Sequence, residues 1–173
     1  MKNSNYISAI LVLFMTNATA QYSNIERTTI NESDVPEEVI RAQRMEFPGG
    51  FVTNWKFHKK QIAVDSDATY YMAAFKKAGR LGNYSYYTDT GKLLAYSLYM
   101  TRFDLPESIQ NAAMNNLNGS VIKSAELIDL ENPKRMIYRV RLNSDGSLQY
   151  IYFDNNGNQI DKRKLPSDIH IFI

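Results

Sequence analysis

Few side chains in this chain of 173 residues could act as nucleophiles or as acid–base groups. There is no cysteine, which excludes a thiol nucleophile, a disulfide framework and an anchor through a lipid-modified cysteine. The two histidines are His58, beside Lys59 and Lys60 near a predicted strand end, and His170, close to the C-terminus. No Gly-x-Ser-x-Gly elbow and no convincing Ser-x-x-Lys helix start is present. The sequence therefore predicts no enzyme and no catalytic residue.

Two groups of oxygen-bearing side chains are the candidates for metal ligands. The stretch 154–158 superficially resembles a calcium loop, but it lacks the alternating oxygen ligands and the closing glutamate. A turn in which Asn and Gly accept positive φ explains it better. Asp65 and Asp67 have no third partner in sequence and fall in a predicted loop. No glycine-rich phosphate loop follows a strand, so we expect no metal and no cofactor.

Tyrosine is the residue type that stands out. Seven tyrosines fall in the strands predicted for the first half of the chain: Tyr70, Tyr71, Tyr84, Tyr86, Tyr87, Tyr96 and Tyr99. Each ring covers about 150–250 Å², so one short helix cannot cover them all. Some rings should lie on an open sheet face among basic side chains and form a protein-binding surface. The candidate interface residues are Tyr84, Tyr86, Tyr71, Tyr96, Lys92 and Arg80. Alternatively, tyrosine simply suits strands, and the rings pack under the helix.

A sequence pattern that predicts a helix start occurs twice, and the two helices help to position these residues. Val35-Pro36-Glu37-Glu38-Val39 is followed 70 positions later by Leu105-Pro106-Glu107-Ser108-Ile109. Proline in the first turn and acidic residues at the positive end of the helix dipole predict two helix starts. Pro48-Gly49-Gly50 and Asn118-Gly119 predict the two helix ends. A fainter third opening stands at Leu165-Pro166. This recurrence indicates a duplicated unit.

After each helix the hydrophobic period changes from 3.6 to 2, which predicts strands. The predicted strands cover 51–62, 69–77, 81–88, 92–101, 121–130, 134–142, 148–154 and 158–162. Short turns between them imply antiparallel pairing. The predicted fold class is therefore α+β, with two tandem repeats that each place one helix before a four-stranded antiparallel meander sheet. The repeats span 35–103 and 104–166, between a flexible lead-in at 21–34 and a C-terminal tail at 167–173. Trp55 is predicted to lie in the core, mid-strand beneath the helix.

The first twenty residues are typical of a secretory signal peptide. Lys2 supplies the positive charge, residues 7–15 the apolar core and Ala18-Thr19-Ala20 the cleavage site, so the mature chain would start at Gln21. The apolar run is about half of the roughly 20 residues that a spanning helix needs. We therefore expect a periplasmic or secreted protein with no membrane span. Without Lys2, the 20 basic residues fall to 19 against 18 acidic ones, which argues against a nucleic-acid partner.

This order of helix, meander and turn resembles the PepSY-like family of β-lactamase-inhibitor-like (BLIP-like) exported bacterial proteins. The resemblance covers 35–166. The residues that carry it are the two helix openings, Phe47-Pro48, Trp55-Lys56, the stretch 84–93, Tyr138-Arg139-Val140 and the stretch 152–157. Two departures make the two sheets unequal: Ala125 stands where the first unit has Trp55, and the link 58–68 is longer than its counterpart.

The resemblance implies a non-catalytic, exported module that binds other proteins. Some relatives bind across a concave sheet, and some related domains are linked to holding proteases inactive. The expected function is thus a protein-binding module, inhibitor-like, whose partner is another exported protein of the hydrolase or protease class. An alternative is a small-ligand or envelope-sensing domain with a pocket at the junction between units, around Tyr99 to Asp104. A third class, an enzyme, would need His58 or His170 within hydrogen-bond reach of a nucleophile or carboxylate.

Overall fold

A computed structural model describes residues 25–60, 68–116, 120–144 and 146–165. The predicted signal peptide, the acidic pair Asp65 and Asp67, the predicted tail at 167–173 and His170 lie outside these ranges. Within them, no helix is both long enough and apolar enough to cross a membrane.

In the described ranges, nine strands form one antiparallel sheet in which each strand pairs with its neighbours in sequence order. The strands are β1 Ile25–Ile30, β2 Phe51–Lys60, β3 Ala68–Lys77, β4 Arg80–Tyr87, β5 Leu93–Met100, β6 Val121–Glu131, β7 Lys134–Ser144, β8 Ser147–Phe153 and β9 Gln159–Ile160. The helices are α1 Glu37–Glu46 and α2 Glu107–Asn116, and 3₁₀ turns occupy Glu32–Asp34, Arg102–Asp104 and Lys162–Lys164. The strand pairing places both helices against the same face of the sheet.

The prediction of two repeats, each with its own four-stranded sheet, is wrong. Strands β5 and β6 pair over six residues, from Ala95 opposite Leu130 to Met100 opposite Ala125, and so join all the strands into a single sheet. The two strands are separated in sequence by α2. Hydrophobic periodicity reports the face of a strand, but it does not report which strand becomes its neighbour across a helical connection. Pairing β5 with β6 satisfies backbone groups that two separate sheets would leave exposed at their edges.

The lead-in predicted to be flexible also differs in the structure. Its residues Ile25–Ile30 form β1, which pairs with β2 from Ile25 opposite Lys60 to Ile30 opposite Trp55. Thr28 and Thr29 are exposed, so main-chain hydrogen bonds rather than side-chain burial hold most of this edge strand. A polar sequence of this kind gives little periodic signal, which is why the strand was missed.

Each helix covers its own part of the shared face. Helix α1 buries Val39 against Phe75 and Tyr87, and Trp55 lies in the same cluster, only 4% exposed. The prediction that Trp55 is a core residue is therefore confirmed. Helix α2 buries Ile109 and Ala113 in a second cluster with residues of β6, β7 and β8. Apolar side chains at helical spacing thus hold both helices to the sheet.

A third core cluster lies on the opposite face of the sheet, which carries neither helix. Its buried members are Met72, Tyr86, Ala95, Ile128, Leu130, Ile137, Tyr152 and Leu165. Leu165 and the half-buried Ile160 come from the C-terminal end of the described chain and pack against this cluster. The middle of the helix-free face is therefore closed, and its accessible side chains lie nearer its margins.

Candidate binding surface on the helix-free face of the sheet

Two of the predicted interface tyrosines lie on the helix-free face. Tyr84 and Tyr86 are opposite Ala74 and Met72 of β3, as strand alternation predicts. Tyr84 is half-buried against the third core cluster, and Tyr86 is only 4% exposed within it. Burial raises the pKa of the Tyr86 hydroxyl far above its usual range. Tyr86 therefore stabilises this face and offers little surface to a partner.

The other predicted interface residues lie elsewhere. Tyr71 and Tyr96 are on the helix-covered face, where the Tyr96 hydroxyl donates a hydrogen bond to Asp129 Oδ2 at 2.9 Å. Burial, together with that bond, raises the pKa of Tyr96 to about 12. Lys92 is exposed in the turn between β4 and β5, and Arg80 forms a 2.6 Å ion pair with Asp104. The six residues thus do not form one surface, because the cross-strand register divides the tyrosines between faces.

A cluster of accessible aromatic, aliphatic and cationic side chains occurs instead at the β7–β8 margin of the helix-free face. We call Arg139, Arg141, Leu148 and Tyr150 the β8 rim. Leu148 and Tyr150 are 50% and 52% exposed. The guanidinium of Arg139 lies 5.3 Å from the centre of the Tyr150 ring, and its Nη2 forms a 2.6 Å ion pair with Glu126. The Tyr150 ring is therefore positioned by a cation that is itself held by a carboxylate.

Arg141 is the cation of the β8 rim that lacks a compensating charge. It lies directly opposite Tyr150 in the β7–β8 register. Its Nε is buried without a hydrogen-bond acceptor. Across the described ranges, no carboxylate forms an ion pair with this guanidinium. A half-buried guanidinium with an unused donor favours an incoming carboxylate.

The register of the β7–β8 hairpin is a sequence signal for the β8 rim, and a count of tyrosines does not contain it. The Ser144–Ser147 pair, which closes the β7–β8 hairpin, fixes which residues face each other on the two strands. Arg141 and Tyr150 are each three residues from that pair, so they lie opposite each other. The number of tyrosines favoured the first half of the chain as the binding surface. The exposure of side chains, which tertiary packing decides, favours the second half.

His58 is the one histidine within the described ranges, and it is isolated. The ring is 2% exposed on the helix-free face, and neither ring nitrogen has a hydrogen-bond partner. Its ring centre is 6.1 Å from that of Tyr86 in an edge-to-face arrangement. Desolvation by burial, reinforced by the charges of Arg27 and Lys56, lowers the pKa of His58 to about 4. The imidazole is therefore neutral at pH 7, and no carboxylate of the described residues is hydrogen-bonded to it to orient it as a catalytic base.

The buried His58 predicts that the protein loses stability in mild acid. In the unfolded chain the imidazole titrates near 6.5, and in the folded chain near 4. The stabilising effect is complete above pH 6.5 and is lost as the pH falls towards 4, because the unfolded state then binds the additional proton. The loss should be on the order of 2–3 kcal/mol.

Urea denaturation of the wild type and of His58→Leu at pH 7.5 and pH 4.5 checks this prediction. The variant should lose less stability between the two pH values than the wild type does. Met45→Leu, at an exposed and uncharged position on α1, serves as the control and should keep the wild-type pH dependence. An equal acid loss in wild type and His58→Leu would contradict the prediction.

Metal-ligand geometry is absent from the described ranges, in which no three acidic or histidine side chains lie close enough to hold an ion. The stretch 154–158 is a hairpin turn. Asp154 Oδ1 accepts hydrogen bonds from the main-chain N–H groups of Asn156 and Asn158, at 2.8 and 2.9 Å. The Asn158 amide side chain also donates to the Asp154 carboxylate, and these bonds hold the pKa of Asp154 below its usual range. Its carboxylate is thus occupied by the turn.

A surface cleft lies beside the segment where the alternative function placed a ligand pocket. It has a volume of about 360 Å³. The residues that line it are Arg102, Phe103, Gln110, Met114, Ser120, Val121 and Ile122. Three of them, Phe103, Met114 and Val121, are exposed apolar residues. The Ser120 hydroxyl is buried without a hydrogen-bond partner, and the Arg102 guanidinium lies 4.5 Å from the centre of the Phe103 ring. The cleft thus combines apolar walls with a cation and an unused hydroxyl.

Comparison with known proteins identifies a solved structure with a similar fold. No protein-family model matches the sequence, and no curated protein matches it. Among solved structures, a BLIP-like protein from Bacteroides fragilis NCTC 9343 superposes with a TM-score of 0.55 and 18% identity, covering 73% of this chain and 84% of that one. At this identity the likeness shows the fold alone, which is BLIP-like.

Two further solved structures superpose less well. One is a Bacteroides thetaiotaomicron protein proposed to be calcium-regulated and periplasmic, with a TM-score of 0.34 and 17% identity over 78% of this chain and 94% of that one. The other is a Bacteroides vulgatus protein of the DUF2874 family, proposed to be periplasmic, with a TM-score of 0.34 and 16% identity over 79% of this chain and 95% of that one. The PepSY-like part of the resemblance remains a prediction.

Proposed function

We propose that this chain is an exported, non-catalytic module that binds another exported protein through the β8 rim. The observation that carries the proposal is the exposure of Leu148 and Tyr150 beside Arg141, whose buried Nε has no hydrogen-bond acceptor and which has no ion-pair partner within the described ranges. Tyrosine and arginine are enriched among the residues that dominate the energy of protein interfaces. Adjacent exposed apolar residues on a monomer surface are typical of binding sites. The nine-stranded sheet holds these side chains in a fixed arrangement.

The proposed mechanism is occlusion of a partner's surface by a rigid sheet. The BLIP-like fold supports an inhibitor-like role, by analogy with that class of proteins. A hydrolase or protease is the partner class that the analogy favours. The signal-peptide pattern of residues 1–20 supports export. A non-catalytic role is supported by His58, whose neutral ring forms no hydrogen bond to a nucleophile or carboxylate within the described ranges.

Substitution of the β8 rim should weaken partner binding without unfolding the chain. Tyr150→Ala and Arg141→Ala should each reduce affinity about thirtyfold or more, because hot-spot truncations cost at least about 2 kcal/mol. The partner is first identified by covalent capture in the native envelope and mass spectrometry. Its affinity for each purified variant is then measured by calorimetry.

Met45→Ala on α1 is the matched control, because Met45 is also large and exposed but lies on the helix-covered side. It should leave the affinity unchanged, and all three variants should keep the wild-type melting temperature. Unchanged affinity for both rim variants would refute the β8 rim as the binding surface.

A second candidate function, a small-ligand or sensing domain, is favoured by the cleft that Phe103 and Met114 line. Its apolar walls and the Arg102 cation suit an amphipathic anion. The probe 8-anilinonaphthalene-1-sulfonate should bind the wild type and the control Met45→Glu, but not Met114→Glu. Equal fluorescence in all three proteins would exclude the cleft as the site.

A further inference from the structure

The outer edge of β8 is largely unpaired. Strand β9 pairs only with Tyr152 and Phe153, whereas β8 begins at Ser147. Among the described residues, nothing pairs with the stretch 147–151 on the side away from β7. Within the described ranges, five residues of a well-formed strand therefore have an unpaired edge beside the β8 rim.

The main-chain groups that face this edge follow from the hairpin geometry. The Asp154 N–H donates to the Asn158 carbonyl oxygen at 2.9 Å, so the main-chain groups of Asp154 point towards β9. In an antiparallel strand every second residue points the same way. The N–H and C=O groups of Tyr152, Tyr150 and Leu148 therefore point outwards. Tyr152 meets Ile160 of β9, while Leu148 and Tyr150 present their groups at the unpaired edge.

This edge has none of the features that normally prevent strands from pairing with other chains. Strand β8 reads Ser-Leu-Gln-Tyr-Ile-Tyr-Phe, without a charged residue or proline, and it pairs with β7 without a bulge. Proteins commonly protect free edges with charges, prolines or bulges. The opposite edge strand, β1, contains Glu26 and Arg27. The unprotected β8 edge is thus well suited to receive a strand.

The positive charge of Arg141 beside the β8 edge favours an acidic segment as the strand that pairs there. Arg141 lies next to Tyr150, and its guanidinium has no carboxylate partner within the described residues. A second copy of this chain would contribute the uncharged β8 and supply no carboxylate at that point. An extended segment with acidic side chains would satisfy both the main-chain edge and the cation.

We propose that an extended, acidic segment of the partner protein adds to β8 as a tenth strand of the sheet. The inference rests on the proposed protein-binding function and specifies its mode. Main-chain hydrogen bonds to Leu148 and Tyr150 provide the pairing, and the β8 rim selects the side chains that project onto the helix-free face.

The test uses a blocked hexapeptide of alternating valine and glutamate as the probe, added to the isotopically labelled full chain. Amide solvent-exchange rates are measured by NMR. In the free chain, the amides of Leu148 and Tyr150 should exchange fast, whereas those of Gln149 and Ile151 are protected by β7. Saturating peptide should slow Leu148 and Tyr150 by about tenfold or more. A valine–lysine peptide should have a much smaller effect.

Two variants of Leu148 distinguish the contribution of its main chain to peptide binding from that of its side chain. Leu148→Pro removes an outward N–H group that no neighbouring strand uses, and it should abolish the protection of Tyr150 by the peptide. Leu148→Ala keeps the N–H group and should retain most of that protection. Loss of protection in both variants would show that the side chain alone binds, which overturns strand addition.

Other outcomes would overturn the proposal in recognisable ways. Protection of Leu148 and Tyr150 without peptide, increasing with protein concentration, would assign the edge to a second copy. Protection without peptide at every concentration would assign it to another segment of this chain. If the captured partner binds through Tyr150 and Arg141 without protecting these amides, the edge proposal fails while the proposed function stands.

Discussion

Phe153→Ala is expected to destabilise the fold by about 3–5 kcal/mol, the usual cost of truncating a fully buried phenylalanine. Phe153 ends β8 with no exposed surface, on the helix-covered face. It lies in one core cluster with Ile109 and Ala113 of α2 and with Tyr138 and Val140 of β7. Removing the ring leaves a cavity beneath α2 that the paired strands cannot close.

Urea denaturation at pH 7.5 measures the loss, and two variants control for it. Phe153→Leu should cost less, because much of the volume remains. Phe103→Ala removes the same group from a residue that is 79% exposed, and it should change stability by less than about 0.5 kcal/mol. Equal losses for Phe153→Ala and Phe103→Ala would contradict the burial of the Phe153 ring.

Gly91→Ala is expected to cause the second large loss. Gly91 has φ +77° in the turn between β4 and β5, and its N–H donates to the Thr88 carbonyl oxygen at 3.0 Å. A Cβ at this position would lie 2.6 Å from the Glu38 carbonyl oxygen in the first turn of α1. The left-handed conformation costs an alanine about 1–2 kcal/mol, and the backbone clash adds about 1–3 kcal/mol. The turn therefore fits closely against the helix only as glycine.

Gly79→Ala is the matched control, because Gly79 has φ +78° and no neighbouring atom within 4 Å of the added Cβ. It should lose only the conformational part of the free energy of unfolding. Thermal and urea denaturation of both variants separate the two contributions. Equal losses would mean that α1 shifts away from the turn at no cost.

The BLIP-like fold says less about the function of this chain than the side chains of the β8 rim do. Related folds carry unrelated activities, so protein binding is inferred from particular side chains and not from the fold. Arg141 and Tyr150 are the strongest of these, since one has an unused buried donor and the other a half-exposed ring. Partner affinity and amide exchange test the side chains and the main chain of the same region separately.

In the candidate interface, strand alternation predicts which face of the sheet a side chain occupies, but it does not predict whether that side chain is exposed. Alternation correctly separated Tyr84 and Tyr86 from Tyr87. It could not show that Tyr86 would be buried, because the core cluster that Tyr86 belongs to includes residues far along the chain, such as Ile137 and Leu165. Exposure depends on contacts of high sequence separation, and a pattern within one strand contains no information about them.

The sequence by itself determined the local elements. Proline and acidic residues start α1 and α2 close to where they were predicted, and turn residues such as Gly91 and Gly146 separate the strands. Only the tertiary structure decided that β5 pairs with β6, that β1 joins the sheet and that no other described strand pairs with the outer edge of residues 147–151. Local signals act through neighbouring residues, whereas strand pairing and burial are settled by competition among distant segments for backbone partners and apolar cover.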